Sequence, residues 1–161
     1  GIMDKIVNQV TKYLSWILMA LMALIVLDVT WQVFTRFILR NSSSWTEEMA
    51  RFLLIWIGLL GASYTLHTRM HLGIDILTYK LTGRKKKIIE ILIYTLVALF
   101  ALIVMVIGGF KLMAMTFQLN QISASIGIKI GYIYFVIPLS GMLMIFYSFD
   151  FIHKALKMKE E

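Results

Sequence analysis

Residues Ile88–Phe117 read IIEILIYTLVALFALIVMVIGGFKLMAMTF, and no charged side chain interrupts them between Glu90 and Lys111. A run of that length exceeds the ~20 residues a helix needs to cross a bilayer and lies well beyond the ~10–14 of a buried core helix. In hydrocarbon the backbone has no water to bond, so such a run persists only as a helix that satisfies its own N–H and C=O groups. Working outward, three more runs meet the same test, at about 13–39, 45–66 and 131–152, with the run at 88–117 the longest and therefore expected to tilt or protrude. The remaining composition agrees: 60% of the 161 residues are hydrophobic and only 16% are charged, against the roughly 25% charged in ordinary soluble domains, and mean hydropathy is +0.81. The expected fold is all-α, a single integral membrane domain of four helices spanning 1–161.

The connections refine this picture. Ile2, Met3, Ile6, Val7 and Val10 share one helical face opposite Asp4, Lys5, Asn8, Gln9 and Lys12, which predicts a short N-terminal amphipathic helix in the membrane interface; a solvated extension of the first span is the plainer reading. Arg40-Asn-Ser-Ser-Ser44 is a tight polar hairpin, and Ser44-Trp-Thr-Glu47 has the spacing of a capping box at a helix start. The segment 67–87 ends in Gly83-Arg-Lys-Lys-Lys87, and its Met70, Ile74, Leu77 and Leu81 suit an amphipathic helix on the membrane surface better than a strand, whose unpaired edge would be costly beside lipid. Residues 118–129 form a polar, small-residue loop, and Pro138 is expected to kink the fourth span because its nitrogen cannot donate to the preceding turn. Gly58, Gly61 and Ala62, and the pair Gly108-Gly109, would allow close helix approach.

Orientation follows from cation counts at the span ends. Eleven Lys and Arg, including Lys5, Lys12, Arg69, the Arg84–Lys87 run and Lys154, fall on one side, and five (Arg36, Arg40, Arg51, Lys111, Lys129) on the other. Both termini and the 67–87 segment are therefore expected in the cytoplasm. The net charge of +7 is spent at headgroup depth, where membrane lipids are the partners, which argues against nucleic acid. With no cysteine in the chain, disulfides, thiol catalysis and Cys-based metal sites are excluded. The first apolar run has no Ala-x-Ala cleavage pattern and reads as a retained signal anchor, with Gly1 ahead of Met3 a candidate tag remnant.

Ionisable residues inside spans cost about 2.5–3.5 kcal/mol each for Asp or Arg at mid-helix and so need a partner or a task. Asp28, Gln32 and Arg36 stand four apart with Thr35 between them, forming one stripe. Counting ~1.5 Å per residue from Trp16 puts Asp28 about 18 Å into the membrane and Arg36 about 30 Å in, near the outer interface. The stripe reads either as a relay for protons or ions or as a seam that pairs with another helix. At the start of the second span Glu47 and Glu48 lie four and three residues before Arg51, and antiparallel packing is expected to bring Arg36 and Arg40 beside them. This outer cluster (Arg40, Glu47, Glu48, Arg51) serves either the helix macrodipole or a docking partner. His67, His71 and Asp75 are spaced four apart, but without a third close ligand from another segment a metal site is not expected, and interfacial contacts suit His71 and Asp75 better.

The order of these landmarks resembles the small membrane subunit, the Q subunit, of tripartite ATP-independent periplasmic (TRAP) transporters. The residues that carry the resemblance are Asp28-x-x-x-Gln32-x-x-x-Arg36, then Trp45-Thr-Glu47-Glu48-x-Ala50-Arg51, Gly61-Ala62, and His71-Leu-Gly-Ile-Asp75. The motifs cover roughly residues 13–80, and span count and length cover the remainder. The resemblance implies a non-enzymatic scaffold in the bacterial inner membrane. It also implies a heterodimer with a large multi-span subunit that moves substrate and sodium, served by a soluble periplasmic substrate-binding protein. It implies no cofactor in this chain, sodium coupling in the large subunit, and an organic acid such as a C4-dicarboxylate or sialic acid as cargo. Because the chain ends at Glu161 after four spans, the large subunit is expected either as a separate polypeptide or as a part cut away from this one.

The residues themselves agree with a scaffold, since no pair of broken helices at mid-membrane offers a substrate site. Two other classes stand beside it. A stand-alone small proton-coupled multidrug antiporter would use Asp28, although Gln32 and Arg36 would hold that carboxylate ionised. A membrane enzyme built on His67, His71 and Asp75 lacks a nucleophile.

Overall fold

The computed structural model describes residues 1–157, with His71 described by its backbone alone. Six α-helices follow in order: α1 (Ile2–Phe37), α2 (Ser44–Thr78), α3 (Arg84–Phe100), α4 (Gly108–Gln118), α5 (Ile130–Tyr134) and α6 (Val136–Lys157), with a π-helical stretch, Ala101–Ile107, joining α3 to α4. Together they make four helices long and apolar enough to cross a membrane. Among the described residues there is no strand, only a single antiparallel bridge between Ile122 and Lys129.

The spans pack as a row and not as a square. The α1 helix lies on α2, α2 on α6, and α6 on α3 and the π-helical stretch, while α1 and α3 do not pack on one another among the described residues. A row buries its two inner helices on two narrow seams and its end helices mainly on one, and leaves two broad faces open. Large apolar side chains such as Leu27, Leu54, Leu96 and Phe149 are accordingly more than half exposed, as suits a lipid or protein environment and not water. The buried apolar cluster, Val7, Leu14, Leu60, Ile74, Tyr94, Val136, Tyr147 and Phe151, gathers mainly toward the end where the chain begins.

Several boundaries differ from those the sequence suggested. Residues 2–12 are helical but run unbroken into the first span, so no separate interfacial helix exists; Val7 is buried on this stretch. With no Gly or Pro between Ile2 and Phe37, nothing ends the hydrogen-bonded ladder. Likewise α2 does not stop near Leu66 but continues to Thr78, so the expected surface helix is the tail of the second span. At ~1.5 Å per residue its 35 residues extend about 52 Å, far more than the ~30 Å of hydrocarbon, so the tail emerges from the membrane. The cap of α2 is Ser43, one residue earlier than the capping box predicted, and it makes no side-chain cap bond. Thr46 instead donates to Ser43 O at 3.0 Å and to the Gln32 side chain.

The fourth span breaks where the proline requires it. Pro138 cannot donate to the Tyr134 carbonyl, and α5 ends at Tyr134 while α6 begins at Val136. The indole of Trp56 on α2 donates to the Ile133 carbonyl at 3.0 Å, supplying a donor beside the break. Close approach occurs at three glycines: a Cβ on Gly131 would sit 2.6 Å from the Phe117 ring, one on Gly109 would sit 2.8 Å from Pro138 Cδ, and one on Gly141 would sit 2.7 Å from Met105 Cβ. The π-helical stretch thus lies along this tight seam. Gly58 and Gly61, by contrast, have nothing within 4 Å of an added Cβ, so their small-residue face is unused among the described residues. The α2–α3 turn needs Gly83, whose φ of 64° is unfavourable for side chains with a Cβ.

Candidate functional site

The hairpin end of the row carries the outer cluster. Glu47 and Arg51, one turn apart on α2, form an exposed ion pair of 3.0 Å. Glu48 points about 100° away around the helix, and its carboxylate accepts three consecutive backbone N–H groups, those of Ala124 (3.1 Å), Ser125 (2.9 Å) and Ile126 (3.2 Å). Ser123 Oγ accepts from Gly127 N and Ile128 N, and Ser123 N donates to Ile128 O at 2.8 Å. Gly127, with φ of 81°, makes the tight turn that aims these groups. The loop 119–129 is therefore an ordered turn fastened to α2. The sequence flagged Glu48 but not this role, because three converging amides from a loop 76 to 78 residues away leave no pattern of spacing.

The expected pooling of Arg36 and Arg40 with the two glutamates does not occur. Among the described residues neither arginine has an ion pair with Glu47 or Glu48, whose carboxylates are taken by Arg51 and by the loop. Both arginines are exposed. Arg40 sits in the turn after α1 with φ of 54°, where the Asn41 N–H closes on Thr35 O at 3.0 Å.

Inside the membrane the stripe divides. Asp28 and Thr35 face α2 and are buried, while Arg36 at the helix end is exposed, and among the described residues no ion pair joins Asp28 to Arg36. Gln32 Oε1 accepts from Thr46 across the α1–α2 seam, and Thr35 donates to Gln32 O at 3.0 Å. Asp28 Oδ2 and Gln32 Nε2 are buried with no hydrogen-bond partner among the described residues. Asp28 lies at the base of a groove of about 320 Å³ whose other walls are apolar: Leu24, Leu27 and Trp31 from α1, and Trp45, Met49 and Leu53 from α2.

At the opposite end Asp75 reaches Lys86 at 3.5 Å, tying the tail of α2 to the start of α3. The side chain of His71 lies outside the described residues; its backbone belongs to α2. His67 stacks on Tyr147 at 4.5 Å between ring centroids. No group of three His, Cys, Asp or Glu that could hold a metal occurs among the described residues. The sequence reading missed a polar knot here. Asp150 is fully buried and pairs with Lys154 at 3.1 Å, which also reaches Asp4 at 3.5 Å, and Thr11 shares a 2.9 Å hydrogen bond with Tyr147. The spacing of Asp150 and Lys154, one helical turn, was the available signal.

This arrangement holds helices together and leaves surfaces open. The family model for tripartite ATP-independent periplasmic transporters, DctQ component, matches residues 25–158. The chain is 27% identical over 156 residues to the sialic acid TRAP transporter small permease protein SiaQ of Vibrio cholerae, covering 96% of this chain and 86% of that protein. It is 28% identical over 102 residues to the C4-dicarboxylate TRAP transporter small permease protein DctQ of Rhodobacter capsulatus, covering 63% of this chain and 44% of that one. It is also 25% identical over 119 residues to the sialic acid TRAP transporter permease protein SiaT of Haemophilus influenzae, covering 71% of this chain but 18% of that much longer one.

Proposed function

This chain belongs to the DctQ-component family of tripartite ATP-independent periplasmic transporters, and from that premise we propose that it is the stationary small subunit of a sodium-driven importer of an organic acid. It is an integral membrane protein of a family of small permease subunits that pair with a large one. The substrate and the sodium travel through the large subunit, and this chain widens the frame against which that subunit moves. The cargo is a sialic acid or a C4-dicarboxylate, in keeping with the names of its relatives.

The observation that carries the reading is the row of helices. A chain with two open apolar faces and few buried side chains outside its seams is built to lie against something. The homologous stretch in the longer permease SiaT supports a large permease as that something. In this reading the end holding Asp4 and Lys154 is cytoplasmic. The Arg40 turn, the Glu47–Arg51 pair and the loop held by Glu48 face the periplasm, where they form part of the surface that docks a soluble substrate-binding protein. Family membership displaces the stand-alone antiporter.

Purification of tagged chain from its native host in mild detergent, with mass spectrometry of the companions, tests the proposal. One stoichiometric larger multi-span protein is the expected companion. A homo-oligomer alone would overturn it. Reconstituted with that companion and a binding protein, uptake should require a sodium gradient and should vanish when either membrane subunit is left out.

A further inference from the structure

We propose that the groove over Asp28 is the seat of one transmembrane helix of the large subunit, and that this helix brings a hydrogen-bond donor side chain to the Asp28 carboxylate. The inference rests on the reading of this chain as a transporter subunit and deepens it by naming where, and through which atom, the partner is held.

Asp28 is only 8% exposed, and its Oδ2 has no hydrogen-bond partner among the described residues. A carboxylate oxygen left in that state at hydrocarbon depth is costly, and intramembrane ionisable groups are retained where a partner satisfies them. The groove above it is open along one of the two faces of the row, with Trp31 at 46% exposure and Trp45 at 50% as its walls. An acyl chain could cover the apolar walls, but it has no donor for Asp28. Lipid amines have donors but sit at headgroup depth, whereas Asp28 lies about 18 Å along α1 from Trp16 by the ~1.5 Å rise per residue. A helix bearing Ser, Thr, Asn, Gln or Lys supplies both the apolar body and the donor. Exposed tryptophans around a desolvated polar anchor are also the composition of an interface hot spot. Thr46 and Gln32, already joined across the seam, fix the spacing of α1 and α2 and so keep the groove open before the partner arrives.

The test compares wild type, Asp28→Leu and Asp28→Asn, each alone and co-expressed with the large subunit of the same transporter. Asp28→Leu replaces the carboxylate with an apolar side chain of the same branching whose added bulk faces the open groove, so the isolated chain should unfold at the same or a higher temperature. Its affinity for the large subunit should fall about tenfold or more, the loss expected when a buried charged hydrogen bond is removed. Asp28→Asn, which keeps one carbonyl acceptor, should lose less. A photo-crosslinking residue at Leu53 should attach to a single helix of the large subunit. Wild-type affinity in Asp28→Leu, unfolding of that variant alone, or crosslinks from Leu53 only to lipid or to a second copy would each overturn the inference and leave the subunit assignment standing. Failure of wild type to bind the large subunit at all would overturn both.

Discussion

The carboxylate of Glu48 accepts the backbone N–H of Ser125 at 2.9 Å, and with the flanking amides of Ala124 and Ile126 it fastens the loop between the third and fourth spans to the start of the second. A carboxylate is the right group for this task, because three N–H donors converge on two oxygens that have no proton to place among them. Glu48→Ala should therefore release the loop while leaving the helices intact. Amide hydrogen exchange at residues 123–128 should speed by about tenfold or more, in line with hydrogen bonds to a charged acceptor, with little change in α2. Unchanged exchange would mean the loop holds its own shape through Ser123 and the Ile122–Lys129 bridge.

Glu47 stands beside Glu48 and behaves differently. Its pairing with Arg51 is exposed on both sides, and such pairs contribute only ~0–1 kcal/mol. Glu47→Ala is expected to leave the unfolding temperature of the isolated chain unchanged. If binding-protein docking falls while stability holds, the residue serves recognition, and stopped-flow association at rising salt separates this from a folding defect.

The glycines make opposite predictions on opposite faces. Gly141→Ala forces a Cβ to within 2.7 Å of Met105 Cβ and 3.2 Å of the Ala101 carbonyl, and overpacking of this kind costs about 1–3 kcal/mol. Gly58→Ala meets open space and should stabilise the isolated helix by about 0.5–1 kcal/mol. Thermal unfolding of the two variants in the same detergent should move in opposite directions. If Gly58→Ala also weakens the heterodimer, its small-residue face is a second seam for the partner.

Much of this architecture is legible in sequence because its strongest signals are long and local. The uncharged run between Glu90 and Lys111, and Pro138 as a breaker, are visible without any tertiary knowledge. The ends of α1 and α2 were not, since hydropathy marks where lipid stops and not where a helix stops. Residues 2–12 and 67–78 leave the apolar zone while the backbone ladder continues. The stripe of Asp28, Gln32 and Arg36 was readable as a stripe, but which members face α2 depends on the rotation of α1, which only packing sets. Glu48 and the loop meet across 76 to 78 residues, and Asp4 and Lys154 across nearly the whole chain. No local spacing encodes such contacts.

Asp150 is fully buried and its counter-ion Lys154 is half exposed. Removing the cation strands the anion, so Lys154→Met should destabilise the chain by several kcal/mol. The double variant Asp150→Leu with Lys154→Met exchanges a buried ion for apolar volume and should recover most of that loss. Additivity of the two substitutions in unfolding measurements would show that the pair does not couple, and that a nearby hydroxyl satisfies Asp150 instead.

Absence of cysteine from the whole sequence makes the orientation directly measurable. Single cysteines placed at Ser43, in the turn after α1, and at Lys85, in the basic run that opens α3, lie at opposite ends of the row. The excess of Lys and Arg at the Lys85 end predicts that this end is cytoplasmic. In intact spheroplasts a membrane-impermeant maleimide should label Ser43→Cys and leave Lys85→Cys unmodified, and permeabilisation should expose the second. Lys85 is chosen because Lys86, its neighbour, holds Asp75 and should be left in place. The reverse labelling pattern would turn the Glu48 loop to the cytoplasm, and a periplasmic binding protein could then no longer be its partner. Labelling of both sites in sealed cells would show two orientations of the chain, which a subunit built around one partner cannot adopt.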